Sequence, residues 1–380
     1  MLEMNFKTKN VVNKLIKRFF DELLLKNDEN LLKLTFSKNV SQEDVNLLLS
    51  SYDKEDLNGT HFLLIDYLQK EHGNIDIPEN LKFPIANFLR LQKLQNLKVI
   101  SHFKKIGNGI NSKNIPFMIM KGGVMKFLRP NYLRAMGDID VLVPEQYFEE
   151  TKKIPAEIGY EYMDFVNSID LHPKNSEEGT VDIHGWIEMG TDYKYERTIN
   201  SDLFSRAKEE TVFGVNALVP CNEDLFFLTL VNTAKNLRAK TSPHSAVFSL
   251  SDCKYLIDSK ENFDWNIVIE NSKKTKTEAQ VVFTVKFINT IVPNLIPEEF
   301  LKSLISEKDL RNYCKEVTFT RYIYNPLQVK SRDEKFVEDV KNLKDFGNYI
   351  ALKFTYKILK RFRKNKNFMH IVYDIFEKFG

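Results

Sequence analysis

Residues 114–143 set the strongest limit on what this chain can fold into. Phe117-Met118-Ile119-Met120 is a short apolar run, Gly122-Gly123 punctuates it, and Val124 to Leu128 has helical character. Asp138-Ile139-Asp140-Val141-Leu142-Val143 then alternates polar with apolar before becoming wholly apolar. Alternation at period two is the pattern of a strand with one buried face, and glycines between an apolar run and a helix mark a tight turn. The order is therefore strand, glycine turn, helix, strand, and it requires a sheet. Beyond Pro144, Glu145 to Ile158 reads as a helix, Gly159 to Phe165 as a third strand and Thr180 to Ile187 as a fourth.

Helical texture flanks this sheet on both sides. Before residue 112 the clearest helix begins near Pro84, with apolar residues at Phe88, Leu91, Leu94, Leu97, Ile100, Phe103 and Ile106, and Leu89 and Val99 widening the stripe. A break is expected at Gly107-Asn108-Gly109. After Pro220, Cys221 to Leu237, Ser245 to Ile257, Phe263 to Ser272 and Thr277 to Ile291 are separable periodic segments. The expected class is α+β, a small mixed β-sheet core flanked by N-terminal and C-terminal helical regions. The expected divisions are an N-terminal helical region at 1–112, the core at 113–215, a helical region at 216–330 and C-terminal helices at 331–380.

Composition narrows the class of protein. With 55 Lys and Arg against 52 Asp and Glu, the 380 residues carry a formal charge of only +3, which argues against a protein built wholly around nucleic acid. The surplus is local: residues 351–366 hold seven basic residues and no acidic one beside Leu352, Phe354, Tyr356, Ile358, Leu359 and Phe362. On a helix, Lys353 to Lys366 would offer a basic face to an anionic membrane surface or a nucleic acid, or dock on the protein itself. Cys221, Cys253 and Cys314 lie far apart with no CxxC pair, so neither a disulfide framework nor a cysteine zinc site is expected, and a reducing, cytoplasmic setting fits. The first twenty residues lack the continuous apolar stretch of a secretory signal, and no segment reaches the roughly 18 apolar residues of a transmembrane helix.

The chemistry concentrates in the central segment. In a strand Asp138 and Asp140 project from one face while Ile139 points into the core. Unpaired, two adjacent carboxylates repel each other, and a divalent cation removes that conflict. Mg²⁺ is the natural occupant, as a hard cation taking carboxylates, waters and substrate phosphates, with Mn²⁺ as the alternative. Asp182, in Val181-Asp182-Ile183-His184-Gly185-Trp186, brings a third carboxylate from another strand. Gly122 and Gly123, lacking Cβ atoms, let backbone N–H groups approach a phosphate at a helix N-terminus. A triphosphate on that turn, bridged by metal to Asp138 and Asp140, is the geometry for attack at phosphorus. Asp182 would then take the proton from an attacking hydroxyl or complete a second metal site.

These residues resemble the minimal nucleotidyltransferase core of the DNA polymerase beta superfamily. More narrowly, Met120-Lys121-Gly122, Leu133 to Val143, Gly159-Tyr160 and Val181 to Trp186 are similar to an uncharacterised bacterial nucleotidyltransferase family. A weaker similarity to its helical tail continues at Ser251-Asp252-Cys253-Lys254-Tyr255-Leu256 and Phe263-Asp264-Trp265. The resemblance implies metal ligands at Asp138 and Asp140, Asp182 as third acidic residue, and phosphate contacts from Gly122 and Gly123. Lys121, Arg134 and His184 would be charge-stabilising neighbours. The implied activity is Mg²⁺-dependent transfer of a nucleoside monophosphate from a nucleoside triphosphate such as ATP to a hydroxyl-bearing acceptor, a small molecule, sugar or peptide. Two rivals are a nucleotide- or partner-binding module of the same fold without turnover, and an RNA-modifying or RNA-binding protein that uses the basic C-terminal segment.

Overall fold

Among the described residues there is one mixed sheet of seven strands: β1 (Met118–Ile119), β2 (Ile139–Leu142), β3 (Tyr160–Asp164), β4 (Ser168–Pro173), β5 (Val181–His184), β6 (Lys208–Val212) and β7 (Val215–Val219). Their spatial order is β3-β4-β5-β2-β1-β7-β6. The computed structural model describes residues 28–319 apart from 38, 51, 53–56, 58, 74, 175–180, 240–242 and 298. The basic Lys353–Lys366 segment and the helices expected at 331–380 lie outside the described residues. The chain divides into one unit of Met1–Leu237 with Thr241–Cys314 and another of Arg238–Lys240 with Lys315–Gly380. The sheet belongs to the first.

Helices α1 (Asp28–Thr35), α2 (Gln42–Ser50), α3 (Gly59–His72) and α4 (Glu79–Ser112) precede the sheet. Helix α5 (Lys121–Leu128) joins β1 to β2, α6 (Glu145–Thr151) and α7 (Ile154–Glu157) join β2 to β3, and α8 (Tyr193–Glu196) and α9 (Asn200–Arg206) join β5 to β6. After β7 come α10 (Asn222–Ala239), α11 (Pro243–Asp258), α12 (Trp265–Thr275), α13 (Glu278–Ile291) and α14 (Glu307–Phe319). The class is α+β, as expected, and the four segments after Pro220 form α10 to α13. Among the described residues no helix is long and apolar enough to cross a membrane, and the three cysteines are free.

Strand register places the polar side chains. β2 runs parallel to β5 with Asp140 opposite Asp182, and β4 runs antiparallel to β5 with Asp170 opposite Asp182. The intervening Ile139, Val141, Ile169, Leu171, Val181 and Ile183 are fully buried. Burying each such aliphatic side chain contributes roughly 1.5–3 kcal/mol. Slipping a strand by one residue would exchange this core for carboxylates, so the register that buries the aliphatics also aligns the acids.

Three expectations are corrected. The sheet has seven strands rather than four: β4, β6 and β7 were not anticipated. The helix expected over 145–158 breaks at Lys152-Lys153, because Pro155 has no N–H for the Thr151 carbonyl and instead sits in the first turn of α7. Helix α4 does not stop at Gly107-Asn108-Gly109 but runs on to Ser112. A Cβ on Gly107 would meet Val215 Cγ1 at 2.8 Å, and one on Gly109 would meet Ile154 Cγ2 at 2.8 Å. These glycines let the helix approach β7 and α7 closely; they do not end it. The three-residue apolar stripe also winds around the helix, since each step of three falls about 60° short of a full turn. Phe103 and Ile106 are buried, whereas Leu91, Leu94 and Leu97 are exposed.

Candidate active site

The site begins where β1 hands over to α5. The Met120 N–H donates to the Asp140 carbonyl at 2.9 Å, so the chain leaves the sheet directly beside Asp140. It turns at Lys121, whose φ of 49° lies in the left-handed region, a conformation costing a non-glycine residue about 1–2 kcal/mol. Gly122 and Gly123 are not a loop ahead of the helix but its first turn. A Cβ on Gly123 would lie 3.0 Å from Ile119 Cδ1 and 3.2 Å from Ile139 Cγ2, so this glycine seats the helix on β1 and β2. A Cβ on Gly122 would lie 3.6 Å from the Arg134 guanidinium carbon.

Asp140 is the buried centre of the cluster, only 7% exposed. Its Oδ1 accepts hydrogen bonds from Lys121 Nζ and, at 3.0 Å, from His184 Nε2. Burial works against its charge, yet Lys121 and His184 prevail and hold the carboxyl well below the usual carboxylate range. Burial likewise works against the Lys121 ammonium, and Asp140, with Asp138 and Asp182 behind it, more than offsets this and raises its pKa. Asp182 has no such cation on it. Burial and the charges of Asp140, Asp138 and Asp170 push it up to about 8. Asp138, one residue ahead of β2, keeps an exposed face, and partial loss of hydration with the charge of Asp140 raises it.

The structure thus brings Asp140, Asp182, Lys121 and His184 together, with Gly122 and Arg134 adjoining; Asp138 is exposed just ahead of β2, outside the set of Asp140, Asp182 and His184 whose ligand atoms converge, and acts on the cluster through its charge. Arg134 is fixed from behind: its Nε lies 3.3 Å from Asp252 Oδ2 and its guanidinium stacks 4.0 Å over the Phe248 ring, both on α11. Three contributors were not anticipated as site residues. Asp170 extends the row of carboxylates across β4, and Ile169-Asp170-Leu171-His172 repeats the Val181-Asp182-Ile183-His184 pattern that could have revealed it. Asn96, 3% exposed on α4, donates through Nδ2 to the Arg134 carbonyl at 2.7 Å and accepts at Oδ1 from the Met136 N–H at 3.0 Å, bracing the loop into Asp138. Asp252 is the third: the segment around it carries the weaker similarity to the family's helical tail, but nothing in the sequence marks its carboxylate as the partner of Arg134.

The cluster of two carboxylates and an imidazole can hold a metal ion. One ligand atom from each of Asp140, Asp182 and His184 lies within 4.8 Å of the others. Burial first and then carboxylate crowding raise Asp182 and Asp138, and the crowding is the conflict such a cation relieves. Residues 57–293, more than half of the chain, match a protein family described as an uncharacterised nucleotidyltransferase. No curated protein matches the chain. The solution structure of the antibiotic-resistance factor ANT(2'')-Ia is similar at 13% identity, with a TM-score of 0.34, covering 48% of this chain and 93% of that one. The crystal structure of an antigenic nucleotidyltransferase-like protein from Paracoccidioides brasiliensis is similar at 15% identity, with a TM-score of 0.35, covering 55% and 94%.

Proposed function

The chain belongs to the uncharacterised nucleotidyltransferase family, and from that premise we propose that it transfers a nucleoside monophosphate from a nucleoside triphosphate to an acceptor hydroxyl with the help of Mg²⁺. The acceptor oxygen bonds to the α-phosphorus, the bond to the bridging α–β oxygen breaks, and pyrophosphate leaves. The observation that carries this reading is the in-register pair Asp140 and Asp182, joined by Asp138, beside the N-terminal turn of α5.

Asp138, Asp140 and Asp182 would hold the cation, which when bound neutralises phosphate charge and orients the triphosphate. The chain's own groups do the rest. His184, hydrogen-bonded to Asp140, fixes that carboxylate's orientation. The free backbone N–H groups opening α5 offer donors to phosphate oxygens, and the Arg134 guanidinium stands over Gly122 to meet the same anion. Asp182 either takes the proton of the acceptor hydroxyl as the new bond forms or completes the metal site, in which case the proton passes to water.

The test is label transfer from α-phosphate-labelled nucleoside triphosphates, with pyrophosphate release measured in parallel across sugars, small hydroxyl compounds, peptides and RNA. Wild type should label one acceptor class, and Asp140→Ala should lose roughly 10²–10³-fold or more of the rate. Nucleotide binding without pyrophosphate release on any acceptor would make the protein a binding module. Transfer that survives Asp140→Ala would reject this site.

A further inference from the structure

Lys121 is placed unlike an ordinary surface lysine. Its backbone is held in the left-handed region, it opens the eight-residue α5, and the hydrogen bond from Met120 N–H to the Asp140 carbonyl brings it against β2. Its ammonium donates to Asp140 Oδ1, the same oxygen that accepts from His184, and the charges of Asp138 and Asp182 also act on it. Asp140 and Asp182 are also the carboxylates grouped with His184 as potential metal ligands. One positive charge therefore already stands in the field that a divalent cation would occupy.

We propose that Lys121 is the resident counter-cation of this acidic cluster, and that it makes binding of a divalent cation depend on a nucleoside triphosphate arriving with it. The proposal rests on the nucleotidyltransferase reading above. A cation seated at Asp140 and Asp182 without nucleotide meets the Lys121 charge a few ångströms away, and the two repel. A triphosphate at the first turn of α5 offers that charge a new partner. The flexible four-carbon stem lets the ammonium pass from Asp140 to a phosphate oxygen beside Gly122 without backbone movement. By linkage the coupling is reciprocal: the triphosphate raises metal affinity, and the metal releases Lys121 to hold the triphosphate.

The experiment titrates full-length protein with Mn²⁺ alone, followed by electron paramagnetic resonance, and then in the presence of a saturating α,β-methylene nucleoside triphosphate. Lys121→Met removes the charge and keeps an unbranched chain, Lys121→Asn removes it with a residue that tolerates positive φ, and Lys121→Arg keeps the charge. Thermal melting establishes that each variant is folded. The neutral variants should bind Mn²⁺ alone roughly tenfold or more tighter than wild type, the Arg variant should stay near wild type, and the gain from adding the analogue should shrink in the neutral variants. Unchanged or weaker Mn²⁺ binding in folded Lys121→Met and Lys121→Asn would overturn the proposal and reduce the contact to a structural ion pair. Asp140→Ala separates the two claims. If it binds Mn²⁺ as wild type does, the metal site itself is misassigned and the Lys121 proposal falls with it.

Discussion

At the scale of single residues, the site depends on side chains whose partners are distant in sequence. Asn96 satisfies both a carbonyl and an N–H of the loop leading into Asp138, from a helix 40 residues upstream of Met136. Replacing it with alanine strands the buried Met136 N–H and removes the donor to the part-buried Arg134 carbonyl, at a cost of roughly 1–3 kcal/mol. The same change lets the Asp138 loop shift. Asn96→Ala should therefore lower the melting temperature and reduce kcat by roughly tenfold or more, since a misplacement of about 1 Å can cost 10²-fold. A lowered melting temperature with wild-type kcat would leave Asn96 as a purely structural brace. Asp138, Asp140 and Asp182 could be picked out from sequence because strand alternation isolates a carboxylate between aliphatic neighbours. Asn96 could not, because Leu94-Gln95-Asn96-Leu97 looks like any polar helix surface and only tertiary packing turns it inward.

At the scale of elements, glycine and charge act through packing. Helix α4 passes β7 and α7 at Gly107 and Gly109, where an added Cβ would come within 2.8 Å of a β-branched methyl group. Alanine gains about 1 kcal/mol of helix propensity over glycine, but overpacking costs roughly 1–3 kcal/mol. Gly107→Ala and Gly109→Ala should each lower stability in urea denaturation, and a rise in either would mean the contact relaxes freely. Glu223 ties two helices: it lies fully buried in the first turn of α10, pairs with Lys260, and accepts the Asp264 N–H at 3.0 Å where α12 begins. Burial opposes its charge, but Lys260 and the backbone donors win and set its pKa below the ordinary 4.5. A depressed folded-state pKa contributes stability above the unfolded value that is lost as pH falls through the folded one. Glu223→Gln should cost roughly 1–3 kcal/mol at pH 7, and the gap from wild type should narrow as pH falls below the ordinary carboxylate pKa and close once pH passes the depressed folded-state pKa. A gap that stays constant with pH would show that shape, not charge, matters there.

At the scale of the whole molecule, a small sheet carries the acids and helices fix what surrounds them. The helices after Pro220 were legible because each keeps an apolar period and is separated by turn residues. β6 was not, because Lys208-Glu209-Glu210-Thr211-Val212 is an edge strand that buries only its last residue and reads as a polar loop. Its pairing with β7 is decided by the neighbouring strand rather than by its own pattern. The acidic half of the site followed from period two. Its cationic residues, Lys121, Arg134 and His184, came from the family resemblance instead, and their partners were not legible, since the Lys121 contact with Asp140 and the Asp252 hold on Arg134 exist only once β1, β2 and α11 meet. The central claim is that Asp138 and Asp140 hold the metal through which a nucleoside triphosphate is bound. It is tested most directly by calorimetric titration of the full-length protein with an Mg²⁺–nucleoside triphosphate analogue, comparing wild type with the Asp138→Ala/Asp140→Ala variant. Saturable binding by wild type, lost in a folded double variant, is the expected result; identical binding by the two proteins would contradict it.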